Sequence, residues 1–276
     1  MQPNLAPLAV EGLTVLLTGG FGLIGKTVGL GYLRAGAKVA LADVNTAVIP
    51  ELQAELEGEF DKGQFLLLEL DITKEESCEA AIAALVHAWG RVDVLVNNAA
   101  IDAKFDASGM SQVNQSRFEN YPIDLLRRSV EVNLTGTVIM SQAACRQMLR
   151  QGSGNIINVA STYSMVAPNQ SLYDFGHGVE NYKPVDYIAS KSFIPNFTRY
   201  LATFYAREGI RCNAVVPHGI FNNHPEAFLV NWAKLSPLGR MCDRDELVGP
   251  FLFLAGPGSS YMTGAVLMVD GGWTAW

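Results

Sequence analysis

The sequence predicts an α/β fold: a doubly wound parallel sheet flanked by helices on both faces. Three observations carry that expectation. Short apolar runs rich in strand formers alternate with amphipathic helical stretches, as parallel strands joined by helical crossovers require. The first such run passes directly into a glycine-rich turn that opens a helix. No linker, charge block or repeat divides the 276 residues, 49% of them hydrophobic, so a single domain over residues 1–276 with ample core is expected.

The elements follow in order. Leu13 to Thr18 (LTVLLT) reads as the first strand and Gly22 to Leu33 as a helix, which places TGGFGLIG, residues 18–25, at the strand-to-helix turn. Within it Gly20, Gly22 and Gly25 fit GxGxxG. Glycines there permit the tight turn, bring backbone N–H groups up to a pyrophosphate and let helix pack closely on strand, with the helix N-terminus facing the anion. Gly19, Phe21, Leu23 and Ile24 complete this Rossmann-type dinucleotide turn. A second apolar strand, Lys38 to Ala42, ends in Asp43, which stands about twenty residues on, where the acid that binds an adenosine ribose is expected. A 2′-phosphate would meet a like charge at Asp43, and Val44 and Asn45 bring no cation to offset it, so NAD is the expected cofactor.

Far downstream, Tyr187 and Lys191 stand four residues apart in YIASK, a spacing that puts a phenol and an ammonium on one helical face. A phenol with its ordinary pKa of about 10 is a poor base near neutrality, and a close cation favours the phenolate. Lowering that pKa by roughly three units takes about 4 kcal/mol, within reach of one Lys plus an oxidised nicotinamide in a water-poor cleft. The pair reads as acid–base machinery beside a dinucleotide.

With the glycine turn, an ordered series of motifs resembles the short-chain dehydrogenase/reductase family nearly end to end. Asp71 in LELDIT, followed by Ile72, resembles the acid that meets adenine, and Asn97-Asn98-Ala99-Ala100 after VDVLV resembles the family's NNAG. Asn133 in EVNLTG, Ser161 in GNIINVAS and the Tyr187/Lys191 pair resemble its catalytic set, and SSYMTGAVLMVDGG is a typical tail. The resemblance implies interconversion of a secondary alcohol and a ketone by hydride transfer. Ser161 would hydrogen-bond the substrate oxygen while Tyr187 takes or gives its proton. Lys191 would hold the nicotinamide ribose and lower the Tyr187 pKa, and Asn133 would hold a water linking Lys191 to solvent. Asn98, Ala99, Ala100, Pro217, Gly219 and Ile220 are further implied cofactor contacts. Homodimers or homotetramers are the implied assembly.

Four departures from the family pattern shape the details. Gly22, rather than residue 23, carries the middle glycine, as in the family's extended branch. The strand-end PG motif appears as Pro217-His218-Gly219, and Asn222 stands where many relatives place Thr; the backbone of Ile220 can still meet the carboxamide, since a main-chain contact does not depend on side-chain identity. Pro195 falls within the helix expected to start near Tyr187. Lacking an N–H, it should free the carbonyl of residue 191 and kink that helix just past Lys191, at about 3 kcal/mol.

The fourth departure is an insertion at about residues 164–186, which separates Ser161 and Tyr187 by more than is usual in the family. Pro168, Gly176, Gly178 and Pro184 argue against regular structure there. Tyr173, Phe175, Tyr182, Asp174, His177 and Glu180 are placed to line a pocket, because a loop between two catalytic residues must lie beside them. A substrate-recognising lid is expected, with aromatic faces on a sugar ring and Asp174, Asn181 or His177 bonding hydroxyls. Ser161, Tyr163, Tyr173, His177, His218 and Asn222 are the expected substrate contacts.

Charge and composition narrow the partners. A net charge of −7 and a pI near 5.1 argue against nucleic acid or an anionic membrane, and the apolar runs are too short to span a bilayer. No basic, apolar leader precedes the first strand, and Cys78, Cys145, Cys212 and Cys242 are scattered without metal-ligand spacing, so buried reduced thiols in a cytoplasmic protein are expected. His87, His177, His218 and His224 show no metal pattern either, and no metal is expected. The C-terminal stretch through Trp273 and Trp276 suits burial against a neighbouring subunit. The expected partner is a small molecule. The insertion and NAVVPHGIFNNHPEAFL resemble a subgroup associated with bacterial flagellin modification and nonulosonic-acid pathways, which implies a sugar or nucleotide-sugar hydroxyl. A small secondary alcohol, diol or hydroxy acid is the alternative substrate; an acyl-carrier substrate is disfavoured by Asp43. A catalytically silent NAD-binding protein is the alternative of another class, and the intact Asn133, Ser161, Tyr187 and Lys191 speak against it.

Overall fold

Alternation along each strand decides how the layers form. In β1 (Thr14–Thr18) Val15 and Leu17 pack to one face of the sheet and Leu16 to the other; in β2 (Lys38–Asp43) Val39 and Leu41 part from Ala40 and Ala42 in the same way. Strands apolar on both faces belong in a parallel sheet covered on both sides by helices. The structure, a computed structural model, describes residues 8–102, 116–173 and 182–276. Five further strands complete the sheet: β3 (Phe65–Glu69), β4 (Val94–Asn97), β5 (Gly154–Val159), β6 (Ile210–Pro217) and β7 (Val266–Val269). All seven run parallel, in the order β3-β2-β1-β4-β5-β6-β7.

Helices α1 (Leu23–Arg34), α2 (Ile49–Glu57) and, late in the chain, α9 (Val248–Ala255) cover one face through Val28, Tyr32, Leu52, Leu56, Phe251 and Leu254. The other face is covered by α3 (Glu75–Trp89), α5 (Thr137–Gln151) and α7 (Ile194–Tyr205) through Ile82, Leu85, Met140, Met148 and Leu201. Between these lie α4 (Ile123–Val130), α6 (Val185–Lys191) and α8 (Glu226–Leu235). Strand order reverses between β1 and β4. The segments leaving the carboxyl ends of the strands diverge there and open a crevice, the position where doubly wound sheets bind their ligands. Among the described residues no helix is long and apolar enough to cross a membrane.

Two expectations are corrected by this architecture. Pro195 does not kink a continuous helix: α6 ends at Lys191, and Pro195 occupies the first turn of α7, where a backbone N–H has no intrahelical partner to lose. Ser192 N still donates to Ile188 O at 3.0 Å and Phe197 N to Phe193 O at 2.9 Å, so the expected cost does not arise. Trp273 is not held in reserve for a neighbour. It is 8% exposed, with its ring 4.7 Å from that of Trp232 and 4.4 Å from that of His218, whereas Trp276 is 81% exposed. Cys78, Cys145 and Cys212 are buried free thiols, and free Cys242 is half-buried.

Candidate active site

The crevice is a cleft of about 540 Å³ whose floor is the glycine turn. Three of its glycines are fixed by packing. Gly19 has φ +63°, and a Cβ there would stand 2.8 Å from Ala99 Cα; one on Gly20 would stand 2.9 Å from the backbone of Leu41 and Ala42; one on Gly25 would stand 2.1 Å from Gly19 O. Gly22, at the N-terminal cap of α1, differs: the nearest atom to its absent Cβ is 3.5 Å away, an ordinary contact. The protein's own packing therefore does not demand glycine at 22, and that residue lines the cleft. A backbone kept bare beside open space at a helix N-terminus fits the pyrophosphate of a dinucleotide.

Neighbouring turns are knitted to this floor. Asn98 Nδ2 donates to the carbonyls of Thr18 and Gly19, both at 3.0 Å, and Thr18 Oγ1 accepts the N–H groups of Asn98 and Ala99 at 3.1 and 3.0 Å. Asp43 accepts from Phe21 N at 3.2 Å and from Asn45 N at 3.0 Å, one bond to each carboxylate oxygen. The end of β2 is thereby tied to the glycine turn.

Ser161 follows β5 directly, and Tyr187 and Lys191 come from α6; all three line the cleft. The hydroxyl of Ser161 lies near enough to the Tyr187 phenol to lower its pKa, and Lys191 Nζ donates to Val159 O at 2.8 Å. Here the electrostatic expectation needs correction. Burial pushes the Tyr187 pKa up, the Asp102 carboxylate adds to the rise, and the Ser161 hydroxyl opposes it. Burial also pushes Lys191 down to about 8, against the pull of Asp102. In the protein alone, desolvation outweighs the help expected from Lys191, and the phenol is neutral.

Asn133 sits in a π-helical turn, Glu131–Gly136, buried. Its Oδ1 accepts from Ile101 N at 2.8 Å, and its Nδ2 donates to Ile101 O and to Ser190 Oγ, both at 2.9 Å. The side-chain amide thus braces the loop after β4 against α6. With both amide hydrogens engaged, a water toward Lys191 would fall to the main-chain oxygen of Asn133, which also accepts from Thr137 Oγ1 at 2.8 Å.

The opposite wall is aromatic. The hydroxyls of Tyr163 and Tyr173 hydrogen-bond each other at 3.2 Å, and His218 lies edge-on to Tyr163 and against Trp232 with centroids 4.4 Å apart. Burial pushes the His218 imidazole down to about 3, so it is neutral; its Nδ1 shares a hydrogen bond with Thr162 Oγ1, and its buried Nε2 has no partner among the described residues. Gly219 has φ +52°, and a Cβ there would strike the Trp232 indole at 1.9 Å. The segment continues into a bridge that uses Gly219 O and Phe221 N, not the N–H of Ile220.

The structure brings most of the expected site residues to the cleft: Gly19, Gly22, Leu23, Ile24, Asp43, Asn98, Ala99 and Ala100 on the floor side, and Pro217, His218, Gly219, Ile220 and Asn222 after β6, with Ser161, Tyr163, Tyr173, Tyr187 and Lys191 between. Five expected cofactor contacts are outside its lining. Gly20 packs under β2, Phe21 is held by its N–H to Asp43, and Val44 is 65% exposed. Asp71 Oδ1 accepts from Thr73 N and Thr73 Oγ1, capping the turn into α3, and Ile72 is buried against Gly136. Of the insertion, Tyr173 packs on Phe228 of α8 at 6.0 Å between centroids; His177, Asp174, Phe175, Glu180 and Asn181 lie outside the described residues. Sequence reasoning missed Asp102, Lys183, Phe228, Trp232 and Met241, all in the lining. Lys183 stands four residues before Tyr187 as Lys191 stands four after, a spacing that could have revealed it.

Comparison with known proteins agrees with this geometry. A family model described as enoyl-(acyl carrier protein) reductase matches residues 23–274. L-rhamnose 1-dehydrogenase (NAD(P)(+)) of a Sphingomonas strain is 32% identical over 271 residues, 95% of this chain and 96% of that protein. D-threitol dehydrogenase of Mycolicibacterium smegmatis is 29% identical, over 96% of this chain and 94% of its own. Among solved structures, a short-chain dehydrogenase of Leptospira borgpetersenii with bound NAD+ superposes with a TM-score of 0.81 at 30% identity, covering 99% of this chain and 97% of its own. The chain belongs to the short-chain dehydrogenase/reductase family.

Proposed function

We propose that the protein is an NAD-dependent oxidoreductase that interconverts a secondary alcohol and a ketone on a sugar or polyol. The observation that carries this reading is the meeting of Ser161, Tyr187 and Lys191 in one cleft with the bare backbone of Gly22 and the carboxylate of Asp43. A bound nicotinamide would supply the hydride-transfer chemistry. Ser161 holds the substrate oxygen beside the Tyr187 phenol, so a proton passes between the substrate oxygen and Tyr187 without a large movement. Lys191 keeps two N–H donors beyond its bond to Val159, enough for ribose hydroxyls. Gly19, Gly22, Asn98 and Asp43 would hold the adenosine and pyrophosphate side, and the backbone of Ile220 the carboxamide.

Support for a polyhydroxylated substrate comes from two directions. The relatives above act, by name, on L-rhamnose and D-threitol. The cleft itself sets rings of Tyr163, Tyr173, His218 and Trp232 beside hydrogen-bonding groups of Ser161, Asn222 and Asp102, a combination that stacks on a sugar face while pairing its hydroxyls. The resemblance of the loops to flagellin-modification and nonulosonic-acid oxidoreductases points to the same chemical class. Exposed Tyr200 and Phe204 on α7 support a homodimeric or homotetrameric assembly.

The test is turnover of purified protein with NAD or NADP against aldoses, polyols, hydroxy acids and simple ketones, followed by NADH or NADPH absorbance. A sugar or polyol should give the highest kcat/KM. A simple apolar ketone as best substrate would overturn the substrate class, and tight NAD binding without turnover of any compound would favour the silent NAD-binding alternative.

A further inference from the structure

The cleft holds a second cation that the reaction above leaves without a task. Lys183, at the returning end of the insertion, places its Nζ 4.3 Å from the ring centroid of Tyr187. The same Nζ donates to both carboxylate oxygens of Asp102, at 2.7 and 2.6 Å. Its side chain is only 12% exposed, so solvent screens it weakly. Its backbone is fixed as well: Gln170 Oε1 accepts the Lys183 N–H at 2.8 Å and Gln170 Nε2 donates to the Lys183 carbonyl at 3.3 Å. The outgoing and returning arms of the insertion are thus clamped together at the point where the ammonium enters the site.

We propose that the Lys183–Asp102 pair is an electrostatic control on Tyr187, in which Lys183 positions the ring and favours the phenolate while Asp102 holds that effect in check. The inference rests on Tyr187 being the proton-transferring group. A cation over an aromatic face is attracted to the ring, and when the phenol loses its proton negative charge spreads into that ring, so the attraction is greater for the phenolate than for the phenol. A carboxylate on the same side acts in the opposite sense, and Asp102 does push the Tyr187 pKa upward. Among the described residues, the other groups around Tyr187 are Lys191 from α6, the Ser161 hydroxyl after β5, and the neutral phenols of Tyr163 and Tyr173. Asp186, adjacent in the helix, is engaged with Ser129 Oγ at 2.6 Å, and His218 is neutral. Among the described residues, Lys183 and Asp102 are therefore the ion pair that meets the ring of Tyr187, with Lys191 lining the same cleft. The insertion brings one of them into the site.

The test reads the ionisation of Tyr187 directly. Tyrosinate absorbance of the NAD-loaded protein is titrated with pH, and the titration of the same variant carrying Tyr187→Phe is subtracted. Lys183→Met should raise the apparent pKa of Tyr187 by about one unit, because Asp102 then faces the ring alone, and Asp102→Asn should lower it by a similar amount. Lys183→Arg should stay close to wild type. With a sugar or polyol that is turned over, the pH profile of kcat/KM should move in the same opposed directions. Shifts of the same sign in the two variants, or shifts below about 0.3 unit in both, overturn the proposal, since a merely structural pair would lose activity either way without splitting the pKa. Retained turnover in Tyr187→Phe would instead sink the reading of Tyr187 itself, and the absorbance titration distinguishes the two failures because it needs no turnover.

Discussion

Lys191 Nζ donates to the carbonyl of Val159 at 2.8 Å, and Val159 is the last residue of β5, two before Ser161. The ammonium and the serine hydroxyl are thus registered on one strand end, and their separation does not depend on a loop. A buried ammonium with one neutral partner is poorly compensated, which is why Lys191 is pushed down to about 8. Acceptors supplied by a bound ribose would favour the charged form and raise that pKa. NAD affinity should therefore be full below about pH 8 and fall as pH rises through the free-protein value, with a proton taken up on binding in that range. Calorimetry near pH 7 and near pH 9 should show roughly tenfold weaker binding at the higher pH. Equal affinities would mean that Lys191 does not contact the cofactor.

Tyr187→Phe removes the transferable proton and little else, since the ring remains to pack. NAD affinity should hold while kcat falls by about 10²–10⁴-fold, the usual contribution of general acid–base catalysis. Lys191→Ala should harm both binding and turnover, because it also leaves the Val159 carbonyl without its donor. If Tyr187→Phe keeps more than about a tenth of the wild-type kcat, the proton donor is another group.

Gly22 and Gly25 should separate cofactor binding from folding. Gly25→Ala drives a methyl to 2.1 Å from Gly19 O, so the turn must shift, and a loss of about 1–3 kcal/mol of stability should accompany the loss of NAD binding. Gly22→Ala meets nothing closer than 3.5 Å and should leave the melting temperature nearly unchanged. Its methyl enters the cleft, however, and should weaken NAD binding. Denaturation and NAD titration of the two variants check this, and normal binding by Gly22→Ala would move the pyrophosphate elsewhere.

The sheet was legible because its strands are apolar on both faces and its turns carry glycine, so period and punctuation agreed from Thr14 to Asp43. Ser161, Tyr187 and Lys191 were legible because each sits in a short motif and the motifs come in order. Other features depend on contacts between distant segments. Lys183 and Asp102 are 81 residues apart and meet only in the folded cleft. Trp232 lies over Gly219 through the docking of α8, and nothing local to either residue announces it. The acidity of Tyr187 could not be judged from an i, i+4 cation alone, because burial, a tertiary quantity, dominates it. Pro195 was misjudged for a simpler reason: a helical period passes over the break after Lys191 without interruption, and only the hydrogen bonds show two helices.

On the proposed reading, Asp43 should set the choice between the two nicotinamide cofactors. Each of its oxygens accepts one backbone N–H, from Phe21 and from Asn45, and an ionised carboxylate has about four lone-pair sites, so capacity remains for the two hydroxyls of an adenosine ribose. A 2′-phosphate would bring a dianion against that carboxylate. The residues that follow offer no remedy: Val44 is uncharged and 65% exposed, and the side chain of Asn45 is engaged in capping the next turn through Ala47 N at 3.3 Å. NAD should therefore bind at least about tenfold more tightly than NADP, a difference of about 1.4 kcal/mol. Asp43→Asn should narrow the gap by relieving NADP of the repulsion while retaining acceptors for the Phe21 and Asn45 N–H groups. Calorimetric titration of both proteins with both cofactors measures each term, and equal affinities in the wild type, or a preference for NADP, would remove Asp43 from the ribose.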